Sequence, residues 1–298
     1  MTQPTLTEGD HFFEAEGITF HYRVGGTSGP IFVAHSVGWG MPGSYLWNGM
    51  GPHLEKSHTV VYFEPRGNGQ SSKPADENAM TSRVMAADIE HLRKHLGLDS
   101  IPALLGHSNG ACIVLRYAEQ YPDRVRNLIL IDAEIQDAPP NDNFQSWAAR
   151  RKDDPYYGPA VAGLTSAFQS PPQTDEAFAQ MMDTILPWYF SDLSHVDTLR
   201  RHITPDLTPP RVWAFLRQGP LDRRLENRCP HVADGGLVKA RTLVVWGAED
   251  AMCSLVAGKA VAEAISGARL VVFDGCGHFP WIEKREAFFK EVDAFLGS

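Results

Sequence analysis

IPALLGHSNG, residues 101–110, is the stretch that decides the fold. Ile101 to Leu105 reads as a short buried strand, Gly106-His107-Ser108-Asn109-Gly110 as a sharp turn, and the residues to about Tyr121 as a helix. A serine at the apex of such a turn is held out beyond the strand's C-terminal end. The turn is too tight for side chains two residues to either side, and glycine alone lacks the Cβ that would collide there. Ser108 also opens a helix, where free N–H groups and the helix dipole favour developing negative charge. The pentapeptide alone is weak, since at average glycine and serine usage it arises by chance in roughly one chain in ten of this length. Its weight comes from the strand before it, the helix after it, and an acid and a histidine late in the chain.

Working outward, the same strand-then-helix alternation recurs. Ile18, Phe20, Tyr22 and Val24 alternate with polar residues around Gly17, which predicts an antiparallel hairpin at a sheet edge. Ile31–Ala34, Thr59–Phe63 and Leu128–Ile131 are short continuous apolar runs of the kind buried on both faces. Between them a helix is expected over Ser44–Glu55. A second is expected where Met85, Ile89, Leu92 and Leu96 fall at helical spacing before Gly97. This pattern predicts an α/β fold with a mostly parallel sheet and helices on both faces. Ligand sites in such sheets lie beyond the strands' C-terminal ends, so the loops after Ala34, Phe63, Leu105 and Ile131 should converge on one crevice.

At Pro139-Pro140 the alternation stops. Residues 136–234 are irregular, helical in flavour and rich in aromatics, including Trp147, Tyr156, Phe168, Trp188 and Trp213. They read as a helical cap inserted into a core made of residues 1–135 and 235–298. The core resumes with Thr242–Trp246, a helix over about Ser254–Ile265 and the strand Arg269–Phe273. It closes with a helix carrying Phe288, Val292 and Phe295.

Composition removes several classes of function. The chain has 298 residues, 43% of them apolar and 21% charged, with a formal net charge of −9. Scattered basic residues and that net charge argue against nucleic-acid binding. No apolar run approaches a membrane span. The polar N-terminus lacks the basic and then apolar pattern of a signal sequence, so a cytoplasmic location is expected. Cys112, Cys229, Cys253 and Cys276 form no C-x-x-C pair. The glycines of Arg66-Gly67-Asn68-Gly69-Gln70-Ser71-Ser72 miss the dinucleotide-binding pattern, because Ser72 stands at the third glycine position. His91 and His95 lie one turn apart, but without a third ligand they read as a solvated helix face. No metal or other cofactor is therefore expected.

A serine needs a base to take its proton as it attacks. His278 follows a buried strand within Gly275-Cys276-Gly277-His278 and can reach the crevice. His107 is expected to point away from the serine's face, and His35 to hold the loop it begins. A carboxylate must orient the base. Asp250, just past the seventh strand, is preferred, with Asp132 and Glu134 at the end of the sixth strand as rivals. The backbone amides of Asn109 and Val37 are the expected oxyanion donors, with Gly38 and Gly40 letting that loop fold close to the reacting centre. Ser36, Trp39, Trp188, Trp213 and Phe279 are expected to line an apolar substrate site.

The chain resembles the α/β-hydrolases nearly end to end. The GHSNG turn, the PRGNGQS loop, WGAED before the acid and GCGH before the histidine carry the likeness, in chain order Ser108, Asp250, His278. The nearest branch is that of esterases and proline-iminopeptidase-like proteins. Where those peptidases carry His-Gly-Gly-Pro-Gly, this chain has His35-Ser36-Val37-Gly38-Trp39. Asn109 replaces their tryptophan after the nucleophile, and Glu64 stands where an aspartate is frequent. These departures speak against peptidase activity. The expected function is hydrolysis of a small or medium apolar ester or lactone. Carbon–carbon cleavage, lyase or cyclase chemistry at the same site, or a ligand-binding receptor of this fold, are the alternatives. A serine rather than a carboxylate nucleophile argues against epoxide hydrolysis and dehalogenation.

Overall fold

The sequence folds, in a computed structural model describing residues 6–204 and 209–297, around one eight-stranded sheet. The polar opening stretch, residues 1–5, lies outside the described residues. The strands are β1 (Gly9–Ala15), β2 (Ile18–Gly25), β3 (Ile31–His35), β4 (Thr59–Phe63), β5 (Ile101–His107), β6 (Val125–Ile131), β7 (Arg241–Gly247) and β8 (Arg269–Phe273). Their spatial order is β1-β2-β4-β3-β5-β6-β7-β8. β1 and β2 form the expected edge hairpin, turning at Glu16 and Gly17, both with positive φ. β2 joins β4 antiparallel, and every later pairing is parallel.

The central strands are buried on both faces because they carry apolar residues at successive positions, and successive side chains point to opposite faces. Val33, Val61, Leu104, Leu128 and Val244 face one side with α2 (Ser82–His95), α3 (Asn109–Gln120) and α10 (Leu255–Ala264). Their chain neighbours Ala34, Tyr62, Leu105, Ile129 and Val245 face the other, against α1 (Ser44–Leu54), α11 (Pro280–Glu283) and α12 (Arg285–Leu296). One expectation fails: the ring of His95 does not face solvent but stacks on Phe13 at 4.6 Å, with Nε2 3.1 Å from the Tyr22 hydroxyl.

Between β6 and β7 run α4 (Asn143–Arg151), α5 (Gly158–Gln169), α6 (Asp175–Ile185), α7 (Val196–His202), α8 (Val212–Asp222) and the single turn α9 (His231–Asp234). Ala160, Leu164, Ile185 and Trp188 of this segment form a separate apolar cluster with Ala251. The chain leaves β3 toward β4 on one side and returns to β5 on the other. The crevice between β3 and β5 is therefore the switch point of the sheet, where a ligand site belongs.

Candidate active site

Ser108 sits at that switch point with φ 55° and ψ −124°. A side-chain-bearing residue at positive φ costs on the order of 1–3 kcal/mol, so the surroundings must impose it. They do: Ser108 N–H donates to Ile131 O at 2.9 Å, and the Ser108 carbonyl accepts from the N–H groups of Ala111, Cys112 and Glu134. A Cβ on Gly106 would lie 2.5 Å from Gly110 O, and one on Gly110 would lie 2.9 Å from His35 O. Both glycines are thus demanded by the backbone crossing.

His278 and Asp250 come from the loops after β8 and β7, and Nδ1 of the histidine lies 2.6 Å from Asp250 Oδ2. Both are buried. The other carboxylate oxygen of Asp250 accepts N–H bonds from Met252 at 2.7 Å and Cys253 at 3.0 Å. His278 is itself held by its backbone N–H, which donates to Tyr189 O at 2.7 Å. A Cβ on Gly277 would lie 2.3 Å from that same Tyr189 carbonyl, so the inserted segment presses directly on the histidine's loop. Asp250 thus engages the Nδ1 side of the His278 ring.

The rival acids are elsewhere occupied. Asp132 Oδ1 accepts the Gly247 N–H at 2.8 Å, and burial together with the charge of Asp250 pushes its pKa well up. Glu134 accepts from Asn109 Nδ2 at 2.7 Å, and burial raises its pKa.

Ser108, His278, Val37 and Asn109 line one cavity of about 270 Å³ with Trp39 and Phe279. The remaining wall is mostly apolar: Met41 and Tyr45 from the core, and Met182, Leu186, Leu199 and Ile203 from the inserted segment. Glu134 and Cys253 also reach it, but no lysine or arginine does among the described residues. Cys253 lies within hydrogen-bonding reach of Ser108. Its thiol is kept protonated by burial and by Asp250. A second hollow of about 240 Å³ shares Met41, Met182, Leu186 and Ile203 with the first.

Backbone donors near the serine can be accounted for one by one. In the loop after β3, Ser36 N–H donates to Phe63 O, Gly38 N–H to Asn109 Oδ1, Trp39 N–H to Gln218 Oε1, Gly40 N–H to Asn68 Oδ1 and Met41 N–H to Gly38 O. The amide of Val37 is left facing the Tyr45 hydroxyl at the cavity wall. That hydroxyl lies 3.1 Å from His107 Nδ1, and His107 Nε2 lies 2.9 Å from the carbonyl of His278. Burial and the neighbouring His278 push the His107 pKa well down, so the ring is neutral. It donates through Nε2 to the carbonyl and accepts the tyrosine proton at Nδ1.

Several expectations need correction. His107 is not turned away: its ring lies 4.5 Å from that of His278 and forms part of the cavity wall. Trp188 does not line the cavity. It is wholly buried in the inserted segment's own cluster, with Nε1 3.0 Å from Met252 Sδ. Trp213 faces a different surface hollow, where the Lys73 ammonium stands 4.7 Å from its ring. Ser36 is buried behind the loop, within the space a Cβ on Gly43 would need, and does not reach the cavity. The room vacated at Gly38 and Gly40 goes to α8 and the residue before it. A Cβ there would meet Gln218 Oε1 at 2.3 Å and Arg211 O at 2.1 Å respectively. Sequence reasoning passed over Tyr45, Cys253, Gln218 and the aliphatic residues of α6 and α7. Leu and Ile at helical spacing have the look of ordinary packing, so nothing local in the sequence marks them as cavity wall.

Among the described residues, two groups bring three ligand-type atoms within 4.8 Å of one another. One is Asp250, Cys253 and His278. The other is Cys112, Cys229 and His231, buried beside α3, where His231 Nδ1 lies 2.8 Å from Glu119. No described helix is long and apolar enough to cross a membrane.

Comparison with known proteins agrees with the fold. The family model described as alpha/beta hydrolase fold matches residues 30–285. The 2-hydroxymuconate semialdehyde hydrolase of Pseudomonas sp. strain CF600 is 27% identical, covering 95% of this chain and 92% of its own. The 2-hydroxy-6-oxo-6-phenylhexa-2,4-dienoate hydrolase of Comamonas testosteroni is 26% identical, covering 93% and 90%. The esterase EaEST of Exiguobacterium antarcticum superposes with a TM-score of 0.73 at 21% identity, over 98% of this chain and 100% of that one. The sheet order, the strained serine turn and the match across most of its length together place this chain in the alpha/beta hydrolase fold family, and it is a hydrolase.

Proposed function

We propose that the protein hydrolyses a small or medium neutral, apolar ester or lactone through an acyl-enzyme on Ser108. In this reading His278 Nε2 takes the Ser108 proton as Oγ attacks the acyl carbon. Asp250 holds the imidazole in the required tautomer and stabilises the imidazolium that forms. The carbonyl oxygen becomes an oxyanion received by the amides of Asn109 and Val37. Collapse breaks the bond to the alcohol oxygen, which leaves with the proton from His278. Water then repeats the sequence at the acyl carbon: His278 takes its proton, the acid is released and Ser108 regains its hydrogen. A lactone follows the same course, with alcohol and acid on one product. Residues 136–234 act as the cap that supplies the outer wall.

One observation carries the reading: the strained Ser108 and His278 line one apolar cavity, and Asp250 holds that histidine at 2.6 Å from behind the cavity wall. A volume of about 270 Å³ suits a modest substrate.

Carbon–carbon hydrolysis is the second reading, favoured by the names of two relatives. Those names specify acids, and an anionic substrate would meet Glu134 in this cavity with no lysine or arginine among the described lining residues. That charge pattern favours a neutral substrate. Steady-state hydrolysis of nitrophenyl esters and unsubstituted lactones of graded chain length tests the choice. The expected result is turnover of short and medium neutral members and little of a carboxylate-bearing dienoate. Efficient cleavage of the dienoate with inert esters would reverse it.

A further inference from the structure

The loop that presents Val37 is not held by the core alone. Gln218, fully buried on α8, reaches it through both ends of its amide. Oε1 accepts the Trp39 N–H at 2.7 Å, and Nε2 donates to Asn109 Oδ1 at 2.9 Å. The same Asn109 oxygen accepts the Gly38 N–H at 3.3 Å. One amide group therefore ties Trp39, two residues past Val37, to Asn109, which follows Ser108 and itself holds the Gly38 N–H. Its own orientation is fixed from behind. Asp222, one turn along α8, accepts from Gln218 Nε2 at 3.2 Å and from the Ser82 N–H and hydroxyl at 2.8 Å each. A second tie runs alongside, Arg211 N–H to Gly40 O at 2.9 Å.

The absence of a side chain at Gly38 has the same cause. The position a Cβ would take on Gly38 is 2.3 Å from Gln218 Oε1, 2.7 Å from its Nε2 and 2.8 Å from Asn109 Oδ1. Trp39 holds φ 59°, an uncommon angle for a bulky residue, and its N–H is the one Gln218 accepts. The loop is thus shaped by a residue nearly two hundred positions later in the chain.

We propose that Gln218 is a positioning residue of the oxyanion site: the inserted segment, through α8, sets the aim of the Val37 amide. This rests on the reading that Ser108 is the nucleophile and that Val37 and Asn109 receive the oxyanion. Its consequence is that α8 governs the rate of the chemical step, and not substrate fit alone. A small misplacement of a preorganised donor is costly, because the field must be in place when charge develops.

The test uses the full chain with nitrophenyl butyrate and with a trifluoromethyl ketone of matching chain length. The ketone adds Ser108 Oγ to its carbonyl carbon and so places negative charge on the oxygen. The plain ketone of the same length reports ground-state binding. Gln218→Met keeps the volume and removes both amide bonds. It is expected to lower kcat roughly 10- to 100-fold with KM within about twofold. The trifluoromethyl ketone should weaken by a similar factor, and the plain ketone should be unchanged. Gly38→Ala, which displaces the same amide from the other side, should reproduce the split and serves if the first variant does not fold. Unchanged kcat and ketone affinity in a folded variant would overturn the proposal. So would equal losses of all three affinities alongside a lower melting temperature, the behaviour of mere packing. A wild-type protein inert to both ester and trifluoromethyl ketone would instead remove the underlying reading, and the proposal with it.

Discussion

Asp132 and Asp250 stand side by side at the ends of β6 and β7, and their hydrogen bonds assign them different chemistry. Asp250 is bonded by His278 and by the amides of Met252 and Cys253, whereas Asp132 accepts from the Gly247 amide, and burial and its neighbour's charge push its pKa well up. A carboxyl that does not touch the imidazole can be replaced by its amide at small cost. Asp132→Asn should therefore keep kcat within about tenfold, or about 1.4 kcal/mol of barrier. Asp250→Asn should lose on the order of 10⁴ in kcat, because the imidazole loses its tautomer. Circular dichroism of both variants would show that folding is retained, and the reverse ranking would move the acid to β6. Asp222 supplies a pH-dependent counterpart. Burial, with a smaller push from the charge of Glu134, raises its pKa to about 7. A carboxyl whose folded pKa exceeds its unfolded value stabilises fully below about 4, and that stability is lost as pH rises to about 7. Urea unfolding across this window should show a fall in wild-type stability that is shallower in Asp222→Asn. Parallel slopes would mean that Asp222 does not titrate there. Only part of this was readable beforehand: residue types and chain order single out Asp250 and His278. The raised pKa of Asp132 depends on burial and on a neighbour more than a hundred residues away.

At the scale of elements, the strands and core helices were legible and the inserted helices were not. Continuous apolar runs such as Thr59–Phe63 can be buried only in a doubly covered sheet, and Met85, Ile89 and Leu92 can face it only from a helix. In residues 136–234 no such periodicity exists, because those helices pack partly on one another and partly on a cavity. Aromatic size was then the available cue, and it misled at Trp188 and Trp213. Trp188→Ala should lower stability by roughly 3–5 kcal/mol, as for a buried aromatic. Its kcat/KM across an ester chain-length series should fall evenly. Met182→Phe or Ile203→Phe, at the wall shared by the two hollows, should instead shift the preferred chain length downward with little change in melting temperature. A chain-length shift in Trp188→Ala without loss of stability would return that residue to the substrate site.

Across the whole molecule, one topological feature gathers the site: the strand order reverses between β3 and β5, and the loops at that reversal bring Val37 and Ser108 to a common cavity. That much follows from alternation and from the turn at 106–110. What did not follow is the dependence of the core's loops on the insertion. Tyr189 O grips the His278 loop, and Gln218 grips the loop after β3, each through contacts spanning distant parts of the chain. A glutamine or a backbone carbonyl in an irregular segment bears no local mark of such a role. The proposed chemistry turns on Ser108 as the nucleophile. Mass-spectrometric peptide mapping after reaction with a fluorophosphonate tests this most directly. The expected result is a single stoichiometric adduct on the peptide containing Ser108, absent from Ser108→Ala. An adduct on another residue, or an unmodified Ser108 in protein that hydrolyses esters, would contradict it.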